Sequence, residues 1–484
     1  MKKIDYYNKF LERLNKFLGI KLELKAYGNQ IEFIPKLNSK FMKKNIEEIG
    51  DIFLAIDLIL ERYYENNNDV FFTDLIEEFC QKFIAHMIKN KLTVTNNQIN
   101  FMDNIKVVCN ETYESKDSNL NILLFKNNNN ISKELDKIEL DFIPFDTPKK
   151  IENILSEKLS LILLNGDNLI LIVGEDFKCY GVGINRGKTI FKERMIDQLR
   201  IENNLYLISF MSKLSKDILE LIDPVTIKEQ QQNGLAINEK KIQKLVEYAN
   251  EKMGSSKKLF KKRNIWNEVA PYLYMEIKNK ELKIFLQNSI DNYLSYHGGR
   301  WKLKSFHVLK FLIIENFYMD TLISSAINGK TSYENIIENI ITNVDILISL
   351  IKDLLEMGKG ALFVILKRTI KNDNIENIFL GGTEGSSIYR KTILKNNQAI
   401  PLKEHNFKYL KLISKVDGAV TLDNEFNLLS FGRLVKLDTK NSSENIEGAR
   451  TAAAISSSKY GLAIKVSEDK KITVWKNQIK ILEI

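Results

Sequence analysis

The spacing of apolar and polar residues divides the chain into segments with different periods. Near the N-terminus, two short alternating runs flank Tyr-Gly-Asn at residues 27–29, which predicts a β-hairpin. Apolar residues recur at helical spacing over residues 46–64 and 72–88, whereas the short apolar runs at 92–95 and 105–108 are typical of strands. Residues 1–138 are therefore predicted to form an α+β domain, whose role the pattern does not reveal.

Residues 139–264 have the pattern of a second domain, of α/β type. A predicted helix is followed by a hairpin and one more strand, at residues 149–157, 160–164, 169–174 and 179–184. The domain ends in a Lys-rich stretch from Lys240 to Arg263. We interpret this stretch as a solvated helix face or linker; a patch that binds phosphate or nucleic acid is the alternative.

Residues 265–344 carry apolar residues at helical intervals, most clearly over 306–323, and are predicted to form a helical connector. Helical spacing recurs over 333–357 and leads into the last segment, residues 345–484. Apolar runs interleaved with helices there predict a mixed α/β sheet. Its strands are expected at 360–366, directly after Asp417, and at 428–435, 462–466 and 472–475. The sequence shows no internal repeat.

Composition sets only broad limits on function. The 484 residues predict two to four domains, and 44% hydrophobic with 27% charged residues is typical of a globular protein. A net charge of +9 suits ligands that carry phosphate without requiring nucleic acid. The N-terminus begins in a charged amphipathic helix and every long apolar window carries charges. We therefore expect a soluble, cytoplasmic protein with no membrane segment.

The cysteines and histidines form no recognisable metal or redox motif. Cys80, Cys109 and Cys179 lack CxxC spacing and are expected to be buried free thiols in a reducing compartment. The four histidines lack the spacing of metal ligands. The Gly-rich run at 381–385 lacks the Lys-Ser/Thr pair of a phosphate-binding P-loop.

Two segments near the C-terminus carry the candidate chemistry. In the first, Asp417 and Gly418 form a tight turn between apolar runs; in the second, Gly448 and Arg450 open an Ala-rich helix. A carboxylate can hold a metal or a ribose hydroxyl, while a helix N-terminus with an Arg can hold phosphate, so together they predict a nucleotide site. Each segment alone is also typical of an ordinary turn or helix start.

The order of these segments resembles the diadenylate cyclase family. The similarity extends over residues 345–484 and rests on the 360–366 strand, Asp417-Gly418-Ala419, Phe431-Gly432, Gly448-Ala449-Arg450 and Ser467-Glu468. It is nearest to the branch in which the cyclase follows an N-terminal sensor domain, which residues 140–190 match loosely. The resemblance implies an α/β fold: a C-terminal mixed-sheet cyclase-like domain preceded by α+β sensor-like domains and the helical connector.

The resemblance also implies a reaction and its residues. Two ATP molecules, held by two facing domains of a homodimer or larger assembly, would be condensed with Mg2+ or Mn2+ into a cyclic dinucleotide, most simply cyclic di-AMP, under control of the sensor domains. Asp417, Gly418 and Arg450 would be catalytic, and Asp417 and Glu468 would hold the metal. The nucleotide would also be bound by Ala419, Leu434, Gly448, Thr451 and Ser467.

The sequence departs from the family at one motif. Where the family has Arg-His-Arg after Gly-Thr, this chain has Arg450, Thr451 and Ala452 after Gly448-Ala449. Each charge-assisted hydrogen bond lost with an Arg is worth about 1.5–3 kcal/mol. The positions that could restore the missing charge are Lys415, Arg433, Lys436 and Lys470. Two functions therefore stay open: a cyclase, or a module that binds a nucleotide or cyclic dinucleotide without chemistry.

Overall fold

The protein is described here by a computed structural model. It describes residues 3–19, 22–27, 30–35, 47–66, 71–89, 93–110, 112–113, 116–156, 169–186, 191, 271–285, 292–306, 308–314, 316–317, 333–367, 376–380, 400–402, 406–437 and 448–484. The chain divides into two compact units, which we call the N-terminal unit (Met1–Leu205 with Phe260–Ser305) and the C-terminal unit (Tyr206–Leu259 with Phe306–Ile484). Each contains a mixed β-sheet, so the predicted α/β class is confirmed.

The N-terminal unit begins with helices and the predicted hairpin. Its elements are α1 (Lys3–Leu18), β1 (Leu22–Tyr27), β2 (Gln30–Pro35), α2 (Glu47–Glu65), α3 (Phe72–Lys89) and α4 (Asn96–Asn110). The strand predicted at residues 105–108 is wrong, because these residues lie inside α4. The buried residues of α4 include Phe101, Ile105 and Val108, which share one helical face, so the short apolar run there belongs to a longer helical period.

The sheet of this unit collects strands from distant parts of the chain. Its elements are β3 (Thr112–Tyr113) and β4 (Lys116–Asp117), which pair only with each other, then β5 (Leu120–Phe125), α5 (Ile131–Lys137), β6 (Leu140–Lys149), α6 (Ile151–Leu155), β7 (Leu169–Val173), β8 (Cys179–Asn185), β9 (Tyr272–Lys278), β10 (Glu281–Phe285), β11 (Asn292–His297) and β12 (Arg300–Ser305). Among described residues the strand order is β12-β11-β10-β9-β5-β7-β8-β6. Helices α1, α3 and α4 pack against the β9–β12 half.

The helical connector predicted for residues 265–344 is wrong over its first half, since β9–β12 form an antiparallel meander there. The turn between β9 and β10 places Asn279 and Lys280 at φ 52° and 58°, and that between β11 and β12 places Gly298 and Gly299 at φ 55° and 77°. Such left-handed two-residue turns are those that close β-hairpins. Short apolar runs do not distinguish a buried strand from a helix, and here the turns decide.

The C-terminal unit follows the sequence prediction more closely. Residues 308–314 are helical. They are followed by α7 (Tyr333–Glu356), β13 (Ala361–Leu366), β14 (Ile400–Pro401), α8 (Phe407–Ile413), β15 (Ala419–Leu422), β16 (Asn427–Arg433), α9 (Ala449–Ser457), β17 (Gly461–Val466), β18 (Ile472–Lys476) and β19 (Ile479–Glu483). The predicted strands after residue 360 are confirmed, and β19 was not predicted. The Gly-rich run at 381–385 and the basic stretch from Lys240 to Arg263 lie outside the described residues.

Strand β13 is the centre of this second sheet. The order is β14-β16-β15-β13-β17-β18-β19 in the described part of the chain. All six residues of β13 are buried, and α9 packs on β13, β17 and β18. Ala454 of α9 shares one apolar cluster with Leu362, Val364 and Ala463, which fixes the helix against the sheet. The core therefore holds the start of α9 at a defined height along the strands.

Two expectations about the whole chain have structural counterparts. Cys80, Cys109 and Cys179 are free and buried, as predicted. Burial raises the pKa of all three thiols, which keeps them protonated and unreactive at neutral pH. Within the described residues, no helix combines the length and apolar character that a membrane crossing requires.

Candidate functional site

One edge of the C-terminal sheet gathers the residues that the sequence singled out. Strands β13 and β15 run parallel, and β17 runs antiparallel to β13. The N-terminal ends of β13 and β15 therefore meet the C-terminal end of β17. These ends bring together Gly360, Asp417 with Gly418, and Ser467 with Glu468, three parts of the chain more than forty residues apart in sequence.

Gly418 fixes the position of Asp417. Its φ of 109° is a backbone conformation that L side chains rarely adopt. A Cβ atom there would lie 2.6–2.8 Å from backbone atoms of Gly432 and Arg433 in the neighbouring strand β16. Only glycine lets the turn rest on β16, and the turn then presents the Asp417 side chain to solvent, 89% exposed.

Arg450 joins the two acidic parts of the site. It lies in the first turn of α9, whose N-cap is Gly448 at φ 89°, with no side-chain cap. Its Nη2 donates to Asp417 Oδ1 at 3.1 Å, and its Nη1 donates to Glu468 Oε1 at 3.2 Å. The Arg450 side chain is 38% exposed and that of Glu468 is 69% exposed. One guanidinium therefore holds two solvent-facing carboxylates.

Gly360 makes room for this arrangement. A Cβ atom at residue 360 would overlap the guanidinium of Arg450, which lies directly over the glycine. The start of β13 thus forms the floor on which Arg450 rests. The absence of a side chain at 360 is a requirement of the site rather than of the backbone, because no unusual φ is recorded there.

The start of α9 offers hydrogen-bond donors to an anionic ligand, beside one guanidinium that two carboxylates share. Exposed ion pairs such as these contribute only about 0–1 kcal/mol to stability, so a ligand can replace them at little cost. The first amide groups of a helix have no partners within the helix, and they point outward with the positive end of the helix dipole. Gly448 provides no side-chain cap, and the Thr451 amide donates to the Gly448 carbonyl, so the amides of Ala449 and Arg450 are the ones that a phosphate group can use.

A second cation, which no sequence motif singled out, lies beside the start of α9. Lys465 Nζ donates to Thr451 Oγ1 at 2.8 Å. Strand alternation places Lys465 on the face of Ala463, which α9 covers. The signal in the sequence was a single Lys within the otherwise apolar strand β17. Among the four positions considered instead, Arg433 is buried and its guanidinium lies 4.4 Å from the centre of the Phe379 ring.

Glu468 is followed by a second acid with a different environment. Burial alone would raise the pKa of Asp469, but its hydrogen bond and charge interaction with Lys471 outweigh this and lower the pKa, with a smaller contribution from Lys465. The Asp469–Lys471 ion pair spans 2.8 Å. Asp469 is therefore ionised at neutral pH and engaged with Lys471.

The proposed metal ligands can be tested against the donor set. Asp417 and Glu468 are solvent-facing carboxylates held on one guanidinium, and oxygen ligands of this kind suit Mg2+ or Mn2+, which usually retain waters and substrate phosphate oxygens. No group of three or more potential ligands occurs among the described residues. Two carboxylates alone would leave most coordination positions of such an ion to water or to a ligand.

The remaining predicted nucleotide-binding residues lie at or near the same edge. Ala419 is buried at the start of β15 and pairs with Arg433. Leu434 directly follows β16 and is half exposed, and Ser467 follows β17 with its amide donating to the Lys471 carbonyl. The structure thus places the predicted residues on one edge, while their roles stay predictions.

No protein-family model matches this sequence, and no curated protein matches it. Among solved structures, a crystal structure of a double mutant of DacA from Staphylococcus aureus is 16% identical, with a TM-score of 0.22, and the match covers 29% of this chain and 86% of that one. A hypothetical membrane spanning protein from Bacillus cereus is 19% identical, with a TM-score of 0.21, covering 36% and 92%. Similarity at this level does not establish a shared fold.

Proposed function

We propose that the C-terminal unit binds ATP at the start of α9 and condenses two ATP molecules into a cyclic dinucleotide, cyclic di-AMP. The observation that supports this most directly is Arg450, which holds the carboxylates of Asp417 and Glu468 beside an uncapped helix start. Phosphate binding and hydroxyl activation need opposite charges within reach of one another. This edge of the sheet supplies both.

The chemistry assigns each side chain one task. The Asp417 carboxylate accepts a hydrogen bond, and then the proton, from the ribose 3′-hydroxyl. The 3′ oxygen attacks the α-phosphorus of the second ATP, the bond to the bridging oxygen breaks, and pyrophosphate leaves. The 3′-hydroxyl of the second ATP attacks the α-phosphorus of the first in the same way, which releases a second pyrophosphate and closes the ring. Arg450 and the first amides of α9 orient the triphosphate and stabilise its charge, which is the main demand of phosphoryl transfer. Because Gly418 has no side chain, the ribose can approach the backbone closely at this turn.

Asp417 and Glu468 would also hold Mg2+ or Mn2+, which neutralises charge on the phosphates and the leaving pyrophosphate. Each chain has one such edge, in its C-terminal unit, so the attacking and the receiving ATP would sit on two copies of the chain. The active species is therefore a homodimer or larger assembly. The N-terminal unit would control this pairing as a sensor.

One observation favours a second candidate function. Thr451 and Ala452 stand where the cyclase family has His and Arg, so fewer groups contact the phosphates. A unit with this deficit could bind a nucleotide or a cyclic dinucleotide and act as a receptor without turnover. The two candidates differ in whether Asp417 is needed after binding.

Incubation of the purified protein with ATP and Mn2+, with the other nucleoside triphosphates in parallel, followed by mass spectrometry, tests the proposal. We expect a cyclic dinucleotide, and we expect Asp417→Asn to reduce its formation by about 100-fold or more while ATP still binds, since a positioned proton acceptor typically contributes at least that factor. Glu425→Gln, an exposed acid beyond the far end of β15, is the control and should stay active. Binding without product would establish the receptor; neither binding nor product would overturn both candidates.

A further inference from the structure

The two sheets have the same strand order. In the C-terminal unit the order β14-β16-β15-β13-β17-β18-β19 matches β6-β8-β7-β5-β9-β10-β11 in the N-terminal unit, with β12 added at the end. In both, only the central pair is parallel, β13 with β15 and β5 with β7, and every other pair is antiparallel.

The order along the chain also matches. A long helix (α7 or α4) precedes the central strand, an edge strand comes later, then a short helix (α8 or α6) and a hairpin (β15–β16 or β7–β8), and finally the meander. The N-terminal unit adds β3–β4 and α5, and the segment that corresponds to α9 lies outside the described residues. Agreement of strand order, direction and chain order over seven strands is far more specific than membership of the α/β class.

The hairpins carry a shared and unusual turn. Phe426 has φ 63° and Phe177 has φ 60°, although a bulky non-glycine residue seldom adopts positive φ. In both turns this Phe donates its amide to the carbonyl three residues before it, at 3.1 Å to Asp423 and 2.9 Å to Gly174. Both Phe side chains are buried. The same strained residue in the same place indicates two copies of one fold.

Cross-strand pairing aligns the copies residue by residue. Strands β13 and β5 each have six residues, of which the second to the fifth pair with both neighbouring strands, so Leu362 aligns with Asn121. Leu362 pairs with Ala419 and Lys465, and Asn121 pairs with Ile170 and Glu276. Lys465 therefore corresponds to Glu276. The same alignment pairs Glu468 with Asn279 and Gly360 with Asn119, and in the sequence it pairs Asp417 with Asn168, which lies outside the described residues.

The four positions that this alignment compares all differ between the copies in the direction that removes the site. The two carboxylates become amides, and the glycine under Arg450 becomes Asn119. The cation Lys465 becomes Glu276, a carboxylate that is only 1% exposed. A carboxyl side chain at that point brings no positive charge to a phosphate, whereas Lys465 does.

We propose that the N-terminal unit is a copy of the C-terminal fold that has lost its phosphate site, and that Lys465 is the second phosphate-binding cation, so that each chain binds one triphosphate. This inference rests on the proposed function for the location of the nucleotide. It adds a residue and a stoichiometry that the nucleotide site alone does not give.

The position of Lys465 supports this role. Its Nζ lies 2.8 Å from the Thr451 hydroxyl, one residue after Arg450, and so reaches the first turn of α9. Arg450 shares its charge between two carboxylates, while the hydrogen bond of Lys465 goes to a neutral hydroxyl. Asp469, whose pKa is lowered in part by the charge of Lys465, forms its ion pair with Lys471. Lys465 thus brings positive charge to the place where Ala452 offers none.

Isothermal titration calorimetry on the full chain, with ATP·Mn2+ and with inorganic tripolyphosphate, tests the inference. We expect one site per chain. Lys465→Gln should weaken both ligands about 10-fold, and Lys465→Glu, which installs the residue of the N-terminal copy, about 100-fold or more. Lys465→Arg should retain most of the affinity. Lys480→Glu, an exposed charge reversal on β19, is the control and should bind as the unchanged protein does.

The outcomes separate this inference from the cyclase. Two sites per chain would overturn the lost site in the N-terminal unit, and unchanged affinity in Lys465→Glu would overturn the role of Lys465, whatever product is formed. One site that Lys465→Glu abolishes supports the inference even if no cyclic dinucleotide appears, in which case the cyclase fails alone. Absence of ATP binding to the unchanged protein would overturn both. Thermal unfolding of each variant shows whether it is folded.

Discussion

Because Gly360 has no Cβ atom, the guanidinium of Arg450 can lie directly over it. Gly360→Ala would push the guanidinium away from Asp417 and Glu468 while leaving the backbone unstrained. We expect ATP affinity to fall about 10-fold, the value of one charge-assisted hydrogen bond, with stability changed by less than about 1 kcal/mol. Calorimetry and urea unfolding measure the two quantities.

A double-mutant cycle shows whether this effect acts through Arg450. If Gly360→Ala weakens binding by displacing the guanidinium, it should have little further effect in the Arg450→Ala background. Additive losses would mean that residue 360 acts on the nucleotide in some other way.

At the residue scale, the sequence predicted the acids and Arg450 but not the second cation. Asp417, Arg450 and Glu468 stand in motifs whose turn and helix-start chemistry is local, so their order along the chain is informative. The role proposed for Lys465 depends on tertiary packing. The Lys465 side chain reaches Thr451 only because β17 packs against α9. No local pattern distinguishes it from any other Lys in a strand.

Between helices, the clearest energetic feature is a buried ion pair. Lys310, 1% exposed and within helical residues 308–314, pairs with Asp345 in α7. Removing Lys310 leaves the buried charge of Asp345 without its counter-ion. Lys310→Met should therefore lower the free energy of unfolding by about 3–5 kcal/mol, measured by urea unfolding.

The companion variant decides the cause. Lys310→Met combined with Asp345→Leu replaces the pair with apolar side chains, and it should recover most of the lost stability. If the double variant is as unstable as the single one, shape rather than charge is what the Lys310 site requires.

At the element scale, prediction succeeded where a long period repeats and failed where apolar runs are short. Helix α7 and strand β13 were expected close to their observed limits. Residues 272–278, 281–285, 292–297 and 300–305 were predicted to be helical and are strands. The hairpin turn at Asn279-Lys280 has no distinctive sequence signal. Residues 105–108 were predicted to be a strand and are helical, because their apolar residues belong to the buried face of α4.

For the whole molecule, the proposed reaction needs two copies of the chain. We expect the rate of product formation per chain to rise with protein concentration and then to level off as the assembly saturates. Mixing in Asp417→Asn chains should suppress the rate beyond simple dilution, because a mixed assembly lacks the proton acceptor for one of the two attacking 3′-hydroxyls. A constant rate per chain from a protein that elutes as a monomer would contradict this.

The relation between the units could not have been found in the sequence. The copies share directions, register and the Phe177 and Phe426 turns, while nearly every side chain at the candidate site differs. Topology is made of pairings between distant residues, such as Leu120 with Ile277, which no local pattern records. Homology of this kind becomes visible only when the strands are ordered.

The pairing of β5 with β9 has a consequence for synthesis on the ribosome. At a translation rate of roughly 5–20 residues per second, the edge of β5 that pairs with β9 stays unpaired for on the order of 10 s before β9 is translated. During that time its apolar strand can be captured by a wrong partner, and repeated folds are prone to such exchange. Because β13 follows β12 in the sequence, the N-terminal sheet has all its strands before the centre of the second copy is translated. The order of translation thus keeps two copies with interchangeable pairing rules apart.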